Sequence, residues 1–281
     1  MTAANRAADH RRTWWIVGIV SGVVLLLLAL ALLWSFLFEA GPPASARESG
    51  VGKRLQPRAP LVVSRAAGRF RRLADAIAQA QTGDRIVVQD ESIEEILPRE
   101  LKIPAITIEA NESKPVVWRV PNNQAADHSM LLLSGTSDLC IRGFTFDGQG
   151  RVDQIIVVTG DCPGLRLEHL QLKGFKKCAI LISNCAGEPD RPVSFLELRS
   201  QTAAVCEAGF LYEVNPQIAP RWNQNFSISK CWFEGLYKTP VRIPARDTKE
   251  PHPPRLFVTF SENMAREIDR KPAVEVKNPE N

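Results

Sequence analysis

The sequence predicts an all-β domain wound as a β-helix solenoid, with an N-terminal capping helix and one membrane-spanning helix ahead of it. Three observations carry that expectation. Residues 14–38 contain no charged side chain. From Arg85 onward short β-rich runs succeed one another with no long helical pattern between them, which excludes a doubly wound α/β arrangement. A two-strand unit then recurs at a spacing of about 26 residues.

The apolar run comes first. At about 1.5 Å per residue a helix over 14–38 spans roughly 37 Å, more than a hydrocarbon core of about 30 Å. Trp14, Trp15 and Trp34 lie near its ends, where indole rings favour the headgroup region. Arg6, Arg11 and Arg12 crowd the short tail 1–13, so the charge bias keeps that tail cytoplasmic and places the remainder outside, at the cell membrane. A cleaved signal peptide, with Ala44-Ser45-Ala46 as its cleavage site, is the rival reading. The apolar core exceeds the ~7–15 residues of such a peptide, which favours a retained anchor. Residues 39–69 are rich in Pro, Ala, Gly and Arg without apolar periodicity and read as a flexible linker.

The domain proper spans 70–262, and 263–281 is a polar tail. Phe70, Leu73, Ala74, Ile77 and Ala78 recur at helical spacing, predicting a helix over 70–81 that covers the open first coil. Strands follow at Arg85-Ile-Val-Val, Ala105-Ile-Thr-Ile, Val116-Val-Trp-Arg-Val, Met130-Leu-Leu-Leu, Gln154-Ile-Ile-Val-Val, Ala179-Ile-Leu-Ile and Phe257-Val-Thr-Phe. Leu139-Cys-Ile-Arg-Gly-Phe-Thr-Phe-Asp-Gly148 aligns with Leu165-Arg-Leu-Glu-His-Leu-Gln-Leu-Lys-Gly174 and with Phe226-Ser-Ile-Ser-Lys-Cys-Trp-Phe-Glu-Gly235. Val193-Ser-Phe-Leu-Glu-Leu-Arg is a weaker copy. Within each copy the apolar residues alternate, slip by one position and alternate again, which predicts a corner or bulge between two short strands. Stacking the copies at about 4.8 Å predicts Phe146 beside Leu172, Arg142 beside Glu168 and Asp147 beside Lys173. Dividing the Asp84–Phe260 span by the repeat gives about seven coils. A β-sandwich is the runner-up, but it predicts no repeated two-strand unit.

Leu73-Ala-Asp-Ala-Ile-Ala-Gln-Ala-Gln-Thr-Gly-Asp-Arg-Ile-Val-Val resembles the opening of right-handed parallel β-helix domains of the pectin-lyase-like class, and Ile141-Arg-Gly-Phe-Thr-Phe-Asp-Gly is similar to their rung motif. The resemblance covers about Phe70 to Ile243 and implies a right-handed parallel solenoid. It implies no particular chemistry, since the class holds lyases, hydrolases, epimerases and adhesins. The layout also resembles β-helix ectodomains attached to bacterial receptor-type Ser/Thr kinases. No glycine-rich phosphate loop and no His-Arg-Asp segment occurs in this chain.

The formal charge of +4 is spread along the chain, so nucleic-acid binding has no support. Six cysteines occur without a Cys-x-x-Cys spacing or an accompanying His cluster, so no zinc site is expected; an oxidising compartment and the even count would permit disulfides, but mainly free, buried thiols are the expectation. The candidate acids are Asp147, Asp153, Asp161, Glu168, Glu197 and Glu234, with no Asp-Asp doublet in the domain. The register places cations beside Asp147 and Glu168, which suits a stable wall better than a general acid. His10, His128, His169 and His252 have no second His or Asp at ligand or triad spacing and read as surface or turn residues.

No catalytic residue, metal ligand or cofactor is therefore assigned. The lengthened connections at Gly187–Pro192, Asn215–Trp222 and Ala245–Arg255 are where a solenoid would place a site. Trp222 and Trp232, with Arg221 and Asn223, are the candidate ligand contacts, able to stack on a sugar ring and hydrogen-bond it. The alternative for Trp232 is packing that seals the coil exterior. The resulting reading is a membrane-anchored, extracytoplasmic, non-catalytic recognition or scaffolding module for a glycan or protein partner. A lyase or hydrolase acting on an acidic polysaccharide is the alternative, and the sensor ectodomain of a Ser/Thr kinase the second.

Overall fold

The apolar alternation resolves into strands that all run parallel to their neighbours. The computed structural model describes residues 58–95, 97, 105–122, 129–213, 224–243, 256–266 and 274–276. The expected span 14–38 lies outside them, and among the described residues no helix is long and apolar enough to cross a membrane. In chain order the elements begin β1 (Leu61–Val63), α1 (Leu73–Gln79), β2 (Arg85–Val88), β3 (Ser92–Glu94), β4 (Thr107–Ala110) and β5 (Val116–Arg119). They continue β6 (Ser129–Ser134), β7 (Cys140–Arg142), β8 (Phe144–Asp161), β9 (Arg166–Glu168), β10 (Gln171–Ala186) and β11 (Val193–Leu196). The last are β12 (Arg199–Glu213), β13 (Gln224–Ser229), β14 (Trp232–Ile243), β15 (Leu256–Ser261), β16 (Met264–Arg266) and β17 (Val274–Val276).

One sheet runs β1-β2-β4-β7-β9-β11-β13-β15, and a second runs β16-β14-β12-β10-β8-β5-β3, with β6 and β17 joined to it. The product is a parallel β-solenoid of about six turns. The expected count of about seven is too high because the repeat is not constant. The step from Ile141 to Leu167 is short, while those from Ile108 to Ile141, Phe195 to Ile228 and Ile228 to Phe260 are longer. Connections between strands absorb the difference.

Stacked apolar columns fill the interior, three of them long. The first stacks Ile86, Ile108, Ile141, Leu167, Phe195, Ile228 and Phe260. The second stacks Trp118, Phe146, Leu172, Ser200, Phe233 and Ala265. The third stacks Leu131, Ile156, Ile180, Phe210 and Val241. This third column arises because β8, β10, β12 and β14 each bend round a second corner, marked by shifts in register, without leaving their neighbours. Trp118 stacks on Phe146 at 5.0 Å between ring centroids. Ser200 interrupts the second column and is satisfied by the Tyr237 hydroxyl at 2.8 Å, so no buried polar group is left unmet there.

The first coil is covered as expected, though the helix is shorter than the periodicity predicts. Leu73, Ala76 and Ile77 of α1 are buried. Arg72 offers no side-chain cap at its start; the Glu95 carboxylate instead accepts the Leu73 and Ala74 N–H groups at 2.9 and 3.1 Å. β1 lies inside the stretch whose composition reads as a linker, paired with β2 through Leu61–Ile86 and Val63–Val88. β16 and β17 likewise fall within the polar tail and pair with β14. Strands of three residues each are too short for a compositional signal. At the other end Phe260 follows the first interior column yet is 38 % exposed, because among the described residues no further coil lies over it.

The two predicted surface registers both occur: Arg142 is the partner of Glu168 and Lys173 of Asp147. Lys173 Nζ lies 3.5 Å from the Asp147 carboxylate, as expected. Arg142 instead reaches back one turn to the buried Glu109, with Nε 2.8 Å and Nη2 2.5 Å from Oε2, while Arg85 binds the other oxygen. Glu168 pairs along its own strand with Arg166 at 3.6 Å. A carboxylate out of water gains more from two guanidinium groups than an exposed one does, so the buried acid takes the shared arginine.

All six cysteines are buried thiols. Burial pushes Cys140, Cys206 and Cys231 up to about 11 from 9.0. The folded chain thus keeps these protons to a higher pH than the unfolded chain does. The unfolded state releases protons first as pH rises, so stability falls between about pH 9 and about pH 11. Urea midpoints across that window should drop, and less steeply in Cys231→Ala. Phe146→Ala removes a ring from the centre of a column and should cost about 3–5 kcal/mol in the same measurement.

Candidate functional site: the outer corner groove

The slip in each repeat is a corner at which one residue takes the left-handed backbone conformation. Gly143, His169, Glu197, Lys230 and Glu262 occupy it on successive turns, with φ of 81, 53, 54, 52 and 54°. For a residue with a side chain this conformation costs about 1–2 kcal/mol. Each corner N–H offsets part of that by donating to the next turn: Gly143 to Glu168 O, His169 to Leu196 O, Glu197 to Ser229 O, Lys230 to Ser261 O, at 2.9 to 3.2 Å. Reversing the chain here turns the corner side chains outward in a column.

Those side chains interact. His169 Nδ1 lies 2.9 Å from Glu197 Oε2, and Lys230 Nζ lies 3.9 Å from Oε1 of the same carboxylate. Two positions further along each strand a second outward column stacks Gln171, Arg199, Trp232 and Met264. The Arg199 guanidinium sits 5.9 Å above the Trp232 ring. Between the columns lies a depression of about 380 Å³ lined by His169, Leu170, Gln171, Glu197, Arg199, Lys230 and Trp232. The Trp232 Nε1 atom is buried and has no hydrogen-bond partner among the described residues.

Trp232, one of the four expected ligand contacts, therefore lines a groove. Arg221, Trp222 and Asn223 lie outside the described residues, as do the whole connections 214–223 and 244–255. Of the residues that accompany Trp232, the sequence named Glu197 as a candidate acid and His169 as a surface or turn residue, and none of them as a ligand contact. A signal for them existed: extending the alignment of Leu165, Val193 and Phe226 by four positions sets His169, Glu197 and Lys230 in one column.

Elsewhere the candidate acids have company. Asp147 faces Lys173, Glu168 faces Arg166, and Glu234 accepts from the Gln201 amide at 3.1 Å. Among the described residues no group of three or more His, Cys, Asp or Glu is placed to hold a metal ion. The groove combines donors, one carboxylate and an aromatic wall. That composition suits reversible polar recognition better than acid–base chemistry, because the one carboxylate among its described residues already faces two cationic or ionisable groups. Compared with known proteins, the chain matches no family model, no curated protein and no solved structure.

The corner charges are about half exposed, which limits their share in stability. Glu197→Gln should shift the unfolding free energy by no more than about 1 kcal/mol, read from urea denaturation.

Proposed function

We propose that this chain is a non-catalytic recognition or scaffolding module that binds a glycan in the corner groove. In this reading the segment 14–38 holds it on the outer face of a cell membrane, and the solenoid is of the right-handed, pectin-lyase-like kind whose opening motif Leu73–Val88 resembles. The observation that carries the reading is the meeting of Trp232 and Arg199 with His169, Glu197 and Lys230 on one exposed corner. Sugars present apolar ring faces flanked by hydroxyl groups. An aromatic wall bordered by fixed donors and one acceptor matches both features.

The solenoid supplies rigidity. Gln171, Arg199 and Trp232 stand on strands paired with neighbouring turns, and His169, Glu197 and Lys230 on the corners between strands, so little ordering is needed on binding. A lyase or hydrolase would call for an acid kept protonated or a base left uncompensated. Asp147, Glu168 and Glu197 each lie within ion-pair distance of a cationic or ionisable side chain, which favours binding over catalysis.

A glycan array probed with the full chain in detergent tests the proposal. Signal on a defined set of glycans should fall about tenfold in Trp232→Ala and in Arg199→Ala, equivalent to about 1.4 kcal/mol, with melting temperature unchanged. Binding that survives both substitutions, or silence across the array, contradicts it.

A further inference from the structure

We propose that Cys162 and Cys185 form a redox pair that closes to a disulfide joining two successive turns when the chain meets a disulfide-bearing oxidant. Cys162 follows the last residue of β8, and Cys185 stands on β10 at the position paired with Gly160. Both side chains are fully buried in the same apolar core cluster. Their thiols are hydrogen-bonded to each other. Two cysteines on neighbouring turns, buried in one cluster with their thiols interacting, are the pair of the six placed to be joined by a bridge between turns.

The surroundings single out Cys162 as the attacking group. Its sulfur accepts the Cys185 S–H, the Thr136 hydroxyl at 3.8 Å and the backbone N–H groups of Thr136 and Gly135, and as a thiol it donates to the Thr159 carbonyl at 3.3 Å. These donors, the Cys185 thiol foremost, bring it down to about 7 from 9.0 despite burial. The thiols of Cys140, Cys178, Cys206 and Cys231 are all pushed up, chiefly by burial. One cysteine of the six thus carries thiolate character near neutral pH, and its sulfur interacts with a second. The pair also lies close to the surface along the chain. The partly exposed Pro163 and Gly164 follow Cys162, and the exposed Glu188, Pro189 and Asp190 follow Cys185 after two residues, so local opening at these turns can admit an oxidant.

The chemistry balances with the oxidant as the only co-reactant. The Cys162 thiolate attacks one sulfur of the oxidant's S–S bond, forming a mixed disulfide and expelling a thiolate. Cys185, having lost its proton, attacks Cys162 Sγ, forms the bridge and expels the second thiolate. The two released thiolates take up the two protons given up by the cysteines. The pair is oxidised by two electrons and the oxidant reduced by two.

The test is to refold the reduced full-length chain in detergent in a mixture of oxidised and reduced glutathione, confirm folding by circular dichroism, then quench with acid, alkylate, digest and map by mass spectrometry. The expected product has one disulfide, between the Cys162 and Cys185 peptides, with Cys140, Cys178, Cys206 and Cys231 alkylated. It returns to six thiols in excess reductant. In Cys185→Ser no disulfide between protein cysteines should form. A folded chain in which Cys162 and Cys185 are both alkylated, or in which Cys162 is bridged to another cysteine, overturns the proposal. If refolding fails, the same mapping on a chain never unfolded, held to equilibrium with oxidised glutathione in urea just below its transition, is read by the same outcomes.

Discussion

The structure depends on one constraint: each turn must set its inward side chains directly over those of the turn before. A single coil has an apolar interior open above and below, and only a neighbour in register can close it. The column from Ile86 through Ile108, Ile141, Leu167, Phe195 and Ile228 meets this requirement, with every member almost fully out of water. A slip of one residue in any strand would send that strand's apolar set to the outside. Among the described residues, the first and last turns have a neighbouring turn on one side only. At the start α1 fills the gap, its N-terminus held by Glu95, whose backbone carbonyl also accepts the Trp118 indole N–H at 2.8 Å.

The same constraint shapes the outside. Turns in register carry their corners in register, so the left-handed residues form a column and their side chains meet. His169, Glu197 and Lys230 are far apart in sequence and become neighbours through stacking alone. A solenoid can therefore assemble a site from one position per turn while leaving the interior untouched. Function of this kind rests on the repeat period more than on any local motif, which is why a search for compact motifs passes over it.

Much of the architecture was legible because the apolar period is read directly from residue type. Leu165, Leu167, Leu170 and Leu172 announce both strands and the slip between them, and Phe146 over Leu172 follows from one alignment. Partner choice among charges was not legible to the same degree. The register correctly set Arg142 beside Glu168, yet Arg142 turns to Glu109, whose burial no local pattern reveals. The third interior column was also hidden, since Ile156, Ile180 and Phe210 reach their places through a second corner whose length differs from turn to turn. At the site Trp232 was visible as an aromatic residue on the outer face. Its companions are ordinary polar residues, made a group only by the corner column.

The most direct measurement of the central claim is a double-mutant cycle between Phe146 and Leu172, each shortened to alanine singly and together, with unfolding free energies taken from urea denaturation. Side chains packed on one another across adjacent turns should be coupled by about 0.5–3 kcal/mol. Costs that add to within about 0.3–0.5 kcal/mol would show that the two do not pack together, and would contradict winding in register.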